Sequence, residues 1–172
     1  FGASSNVITI GDNGGAANTM LNGGYAGNYA NPIYIASGNT GIASISNSAN
    51  STYSGPVTLN SHDLTLSPSP STLTLGGGIT GTGNLTLAAR GAGAITLSGA
   101  PVNHSGTITN SGTGAGLSTI SGGVGANVTI ITEDSASSAL TISTSNLVVN
   151  SGGTVLANNN ASGSSILTLS GG

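Results

Sequence analysis

Very few side chains in this sequence could do chemistry. It holds one Arg and no Lys, four Asp plus Glu, two His and no Cys. The adjacent acids are Glu133–Asp134, after Thr129-Ile130-Ile131-Thr132 at a strand end. A paired-carboxylate reaction needs two carboxyl groups converging on one point, and neighbours on a strand face opposite ways, so a surface turn is expected here. His62–Asp63 could supply two members of a triad, but no Gly-x-Ser-x-Gly elbow accompanies them, and they read as a polar turn. Zero Cys removes disulfides, thiol nucleophiles and thiolate metal sites. Calcium-binding β-rolls need an acid in every short repeat, which four acids do not furnish. Gly11-Asp12-Asn13-Gly14-Gly15 lacks the Gly-Lys-Ser/Thr of a phosphate loop and reads as a turn. No catalytic, cofactor-binding or metal-binding residue is assigned, and no cofactor is expected.

Composition narrows the partners. Charged residues are 3% of the chain, against about 25% in an average soluble domain. A lone Arg90 does not neutralise a run of phosphates, so nucleic acid is not an expected partner. No apolar run approaches the ~18 residues of a membrane helix, so membrane insertion is not expected either. The sequence begins at Phe1 without an initiator Met or a signal-like segment, and it ends in mid-pattern at Ser170-Gly171-Gly172. It is expected to be a processed chain or a segment cut at both ends. Asn-x-Ser/Thr sequons at Asn50, Asn84, Asn103, Asn127 and Asn160 are as many as chance supplies in so polar a chain.

The elements that hold these residues are short. Apolar-Thr-apolar triplets recur at Ile8-Thr9-Ile10, Val57-Thr58-Leu59, Leu64-Thr65-Leu66, Leu73-Thr74-Leu75, Leu85-Thr86-Leu87 and Ile95-Thr96-Leu97. They continue at Val128-Thr129-Ile130, Leu140-Thr141-Ile142 and Leu167-Thr168-Leu169. Such period-2 alternation describes a half-buried strand, and Gly, Asn and Ser clusters between triplets read as turns. Gly and Pro punctuate the chain too densely for helices. A sandwich would need bulky residues between its sheets, yet no aromatic follows Tyr53.

The fold expected is therefore all-β, a parallel β-solenoid (β-helix) of roughly seven or eight coils with about 20 to 24 residues each and no substantial helix. One solenoid segment covers 1–172, less regular and Tyr/Asn/Gly-rich over 1–46 and regular over 47–172. Leu64, Leu66, Leu73, Leu75, Leu85, Leu87, Ile95, Leu97, Val128, Ile130, Leu140, Ile142 and Leu169 should face inward. Thr65, Thr74, Thr86, Thr96, Thr129 and Thr141 should face outward.

Asn50-Ser51-Thr52-Tyr53-Ser54-Gly55-Pro56-Val57-Thr58-Leu59, followed by Asp63-Leu64-Thr65-Leu66, resembles the autotransporter-associated β-strand repeat. A second stretch runs from Gly77 to Ala100, and Val102-Asn103-His104-Ser105-Gly106-Thr107-Ile108 then matches the Tyr-Ser-Gly step, with His104 in place of Tyr. The resemblance covers residues 45–121 and implies a right-handed β-helix in the exported passenger of a large bacterial surface protein. It implies no catalytic residues.

Three functions follow as expectations. The first is a non-catalytic structural or adhesive subunit of an extracellular fibre, with self-association end to end and glycans or other cell surfaces as further partners. The second is a fragment of a longer adhesin passenger. The third is an ice- or lattice-binding solenoid, suggested by the outward Thr residues, although their spacing along the chain wanders. The segment 21–31 lacks the triplet pattern and reads as a looped-out or edge coil. Its Tyr25 and Tyr29, with nearby Tyr34, are the expected subunit contact, because Tyr offers large amphipathic area at low entropic cost. The expected location is the bacterial cell surface or the extracellular medium.

Overall fold

A computed structural model of the chain describes residues 2–144, 146–160, 163 and 165–171. Among them are eighteen strands and no helix. The first coil carries β1 (Ile8–Ile10), β2 (Thr19–Gly23) and β3 (Gly27–Tyr29). The second carries β4 (Ile33–Ile35), β5 (Ala43–Asn47) and β6 (Ser51–Tyr53), and the third β7 (Val57–Asn60), β8 (Leu64–Leu66) and β9 (Leu73–Leu75). Next come β10 (Ile79–Thr82), β11 (Leu85–Leu87) and β12 (Ile95–Leu97), then β13 (Gly106–Asn110) and β14 (Ser118–Ile120). The sixth coil has β15 (Val128–Glu133) and β16 (Leu140–Ile142), and the seventh β17 (Val155–Asn158) and β18 (Leu167–Leu169).

These strands stack into three parallel sheets, of four, seven and seven strands. The first face is β1-β4-β7-β10, continued by single bridges through Val102, Val124 and Leu147. The second runs from β2 to β17 and the third from β3 to β18. The molecule is thus a three-faced parallel β-solenoid of seven coils. Paired residues in successive coils lie between 21 positions apart (Ala43 to Leu64) and 27 (Leu140 to Leu167). The strands keep their register because the connections at the corners absorb the variation.

Alternation explains the interior. In β8, β9, β11 and β12 the outer two residues are buried and the central Thr is half-exposed. Leu64, Leu66, Leu73, Leu75, Leu85, Leu87, Ile95 and Leu97 are each 2% exposed or less, as the pattern predicts. Each such burial contributes roughly 1.5–3 kcal/mol relative to exposure. The corner between the third and first faces is built for close backbone approach. A Cβ on Gly55 would strike the carbonyl of Asn31, and one on Gly77 the backbone of Gly55. Pro32, Pro56 and Pro101 follow in that corner, and their carbonyls accept from the N–H of Ile8, Ile33 and Ile79 in the preceding coils. A preset φ suits Pro to such a corner.

Two expectations need correction, and a third is decided between its two forms. Ile130 is exposed and Glu133 is fully buried, the reverse of the reading from the triplet beginning at Val128. The cause is a register shift where β15 passes β13: Gly106 pairs with Val128 but Thr107 pairs with Ile130. Thr129 is the extra residue of a β-bulge, and it turns Ile131 and Glu133 inward. Leu169 pairs with Ile142 as an inward position but is 52% exposed, since its coil is the last of the stack. Of the two forms expected for segment 21–31, looped out or edge coil, the structure shows the edge coil. It supplies parts of β2 and β3, the second and third faces of the first coil.

Candidate functional site

Glu133 reaches the interior at the corner between the second and third faces. One register column there runs Leu21, Ile45, Leu66, Leu87, Asn110, Glu133, Asn158, so an aliphatic ladder becomes polar from the fifth coil onward. The Asn110 Nδ2 donates to Glu133 Oε2 at 2.8 Å, and also to the Ser138 carbonyl. Asn110 Oδ1 accepts from Ser118 Oγ at 3.0 Å, and the Ser135 N–H donates to Glu133 Oε1 at 2.8 Å. Ser135 Oγ in turn donates to the Gly112 carbonyl and accepts from the N–H of Ser138. Asn110, Ser118, Glu133, Ser135 and Ser138 are each 2% exposed or less. Burial pushes the Glu133 carboxyl above its ordinary value, and the hydrogen bonds from Asn110, Ser135 and Leu140 oppose that rise. Asp134, one residue on, is exposed. The expected surface turn is therefore half right, and the two carboxylates do not converge.

His104 is also buried. Its Nε2 lies 3.1 Å from the Thr107 carbonyl, so Nε2 carries the proton, while Nδ1 has no hydrogen-bond partner. Burial lowers its pKa, opposed by the bond to Thr107 and by the charge of Asp63. Tyr53, its counterpart in the repeat resemblance, occupies a different place. Tyr53 ends β6 on the third face, whereas His104 lies between the first-face bridge at Val102 and β13 on the second. The two matched segments are thus not equivalent in the coil.

Tyr53 stacks on Tyr29 with ring centroids 5.1 Å apart, and burial followed by the Tyr29 charge pushes its phenol up to about 12. Tyr29 is half-buried against the core and donates to the Tyr25 carbonyl at 3.1 Å. Tyr25 is 83% exposed, and Tyr34 stands on the outside of the first face between Thr9 and Thr58.

His62 and Asp63 line an open groove of about 460 Å³ at the corner between the first and second faces. Its other walls are Asn39, Thr40, Gly41, Ile42, Ala43, Ser61, Thr65 and Thr86. Reading the sequence placed the His–Asp pair in a turn, correctly, but missed Ile42 and Thr40, which come from the previous coil. Among the described residues no group of three His, Asp or Glu is placed to hold a metal ion.

The outward Thr residues also become a surface. On the third face Thr52, Thr74, Thr96, Thr119, Thr141 and Thr168 lie in one unbroken register column. On the second face Thr65, Thr86, Thr109 and Thr132 form a shorter one. Spacing that wanders along the chain is regular in space, because the corners take up the difference. No protein-family model matches the chain, and comparison with curated proteins and with solved structures returns no significant match.

Proposed function

We propose that this chain is a non-catalytic structural and adhesive element at the bacterial cell surface, a subunit of an extracellular fibre in which solenoids stack end to end. The observation that carries this reading is the match between the two end coils. The seventh coil presents Leu147, Leu156, Leu167 and Leu169 at inward-facing positions, with Leu156 40% and Leu169 52% exposed. The first coil presents Ile8, Leu21 and Tyr29, each half-buried, beside Gly27. Continuing the register columns into a second copy sets Ile8 on Leu147, Gly27 on Leu167 and Tyr29 on Leu169. On the second face Leu156 falls on Thr19 and Asn158 on Leu21, the two positions that depart from the apolar match. Parallel strand edges at both ends would then pair at ~4.8 Å. A net charge of −3 offers little repulsion against such stacking. In this reading Tyr25, Tyr29 and Tyr34, all on the first two coils, set the rotation of one copy on the next.

The resemblance to autotransporter repeats supports a related reading, with right-handed coiling, in which further coils of a longer passenger cover the same faces. Light scattering and electron microscopy of the 172-residue chain separate the two. Concentration-dependent filaments, lost in Leu169→Glu, are expected for the fibre. A monodisperse monomer at high concentration overturns it in favour of the passenger.

The six-residue Thr column favours one further reading, a flat face that binds ice or another regular lattice. It is a single row, flanked on one side by Ser54, Gly76, Ser98, Ser121, Ser143 and Ser170. Thermal hysteresis that disappears in Thr96→Tyr would support this reading, and its absence in the wild-type chain would reject it.

A further inference from the structure

The groove containing His62 and Asp63 is where the stack departs from repetition. The connection from first to second face takes residues 11–18 in the first coil and 36–42 in the second, but only 61–63 and 83–84 in the next two. The two long connections lie on each other and end in a step, and the groove is the angle of that step. Its wall is held rigidly from the coil before. Thr40 N–H donates to the Gly15 carbonyl (2.9 Å), Asn39 Nδ2 to the Ala17 carbonyl (3.2 Å), and Ile42 N–H to Asn18 Oδ1 (2.8 Å).

Its floor carries an independent mark. Ser61, at φ 58°, is the only non-glycine in the left-handed region among the described residues. Such a conformation is costly for a side-chain-bearing residue, and it gathers at sites where a neighbour must be aimed. The neighbour here is His62. Its Nδ1 lies 2.8 Å from the Asp63 carbonyl, which only accepts, so Nδ1 carries a proton, and in the tautomer this selects Nε2 is the acceptor. The Asp63 carboxylate is held in turn by the Asn84 N–H, at 2.7 Å.

The chemistry offered is therefore two acceptors, His62 Nε2 and the Asp63 carboxylate, the hydroxyls of Thr40, Thr65 and Thr86, and one bare apolar surface. Ile42 is 57% exposed and supplies that surface. An anion is excluded, because the groove has a carboxylate and no Lys or Arg in its lining. A metal ion fits less well, because the lining brings together one imidazole and one carboxylate and no third His, Asp or Glu among the described residues. A ligand rich in O–H donors with an apolar C–H face satisfies both sets, and the volume falls within the ~300–1,000 Å³ of small-molecule sites. We infer that this groove binds a neutral saccharide of one or two rings, its hydroxyls on Asp63 and His62 and its C–H face on Ile42. With no aromatic in the lining, binding is weak.

The chain's two histidines make the test direct. Ring resonances of His62 and His104 are followed by NMR in the full chain during titration with lactose, cellobiose and diacetylchitobiose, with glucose 6-phosphate as the charged control. At least one neutral disaccharide is expected to move the His62 signals saturably while buried His104 stays in place. Asp63→Asn should weaken that sugar about tenfold, the loss of a charge-assisted hydrogen bond. Ile42→Ser, at an exposed position, should weaken it roughly threefold with the melting temperature unchanged. A His62 signal that none of the three sugars moves overturns the inference. So does binding unaltered by both substitutions, or glucose 6-phosphate binding as well as the neutral sugars.

Discussion

The third and fourth coils and the fifth to seventh coils share one backbone plan and differ in what fills it. In the earlier pair the column at the second-face corner is Leu66 and Leu87, and every inward strand position on the second and third faces is Leu or Ile. In the later coils the same column is Asn110, Glu133 and Asn158, and Ser118 replaces the aliphatic residue on the third face. Aliphatic rungs need only volume, because dispersion and burial are indifferent to direction. Polar rungs need every donor and acceptor matched. Asn110 accordingly uses both of its amide hydrogens and its oxygen, and Glu133 has a hydrogen bond at each oxygen. The later coils therefore depend on a few specific bonds, where the earlier ones depend on many equivalent contacts.

Truncation in the aliphatic coils should have the largest effect. Leu85→Ala opens a cavity at a fully buried position in the middle of the stack and should cost about 2–5 kcal/mol, read from denaturant unfolding. A loss below about 1 kcal/mol would mean that neighbouring rungs collapse into the space, and that the coils are not close-packed.

Removing the carboxylate at the polar corner comes next. Glu133→Ala strips acceptors from Asn110 Nδ2 and Ser135 N–H, at about 1–3 kcal/mol for a buried donor left unpaired. Glu133→Gln keeps part of the bonding and should lose less. Hydrogen exchange should localise the Glu133→Ala damage to 110–140 and leave the third and fourth coils protected. Uniform loss of protection would show that the two regions unfold as one unit.

The pH response is smaller, because two buried groups oppose each other. Glu133 binds its proton more tightly when folded than its ordinary value of 4.5, so its stabilisation is fullest below 4.5 and is lost as pH rises through the raised value. His104 is the reverse. Its folded value is below 6.5, so its stabilisation is present above 6.5 and is lost as pH falls through the lowered value. The wild-type melting temperature should therefore change little between neutral pH and 4.5. Glu133→Gln should uncover a chain that weakens toward acid, and His104→Phe one that strengthens toward acid. Identical pH profiles for the two variants would contradict the opposed pair.

The smallest effect belongs to the outer face common to both regions. Thr96→Val, in the middle of the six-Thr column, should change stability by less than about 0.5 kcal/mol, since the site keeps its β-branched shape and needs no hydroxyl for the core. A larger loss in a thermal melt would show that the column hydroxyls bear on folding.

Strand identity, the inward faces of the third and fourth coils and the absence of helix were legible in the sequence, because side-chain alternation is a property of each strand's own backbone. The apolar-Thr-apolar triplets state it directly. The scarcity of bulky residues was enough to choose a narrow tube over a sandwich. What depends on the register between coils was not legible. The bulge at Thr129 arises because β15 must match β13 across a two-against-one pairing, and that one residue sends Glu133 inward and Ile130 outward. Asn110 meets Glu133, 23 positions away, only because the coils that separate them close at that length. Ile42 and Thr40 meet His62 and Asp63 only because one coil's connection is long and the next is short. Local alternation settles which side of a strand a residue occupies. Which residue it then faces is a sum over every corner in between, and a single inserted residue changes that sum.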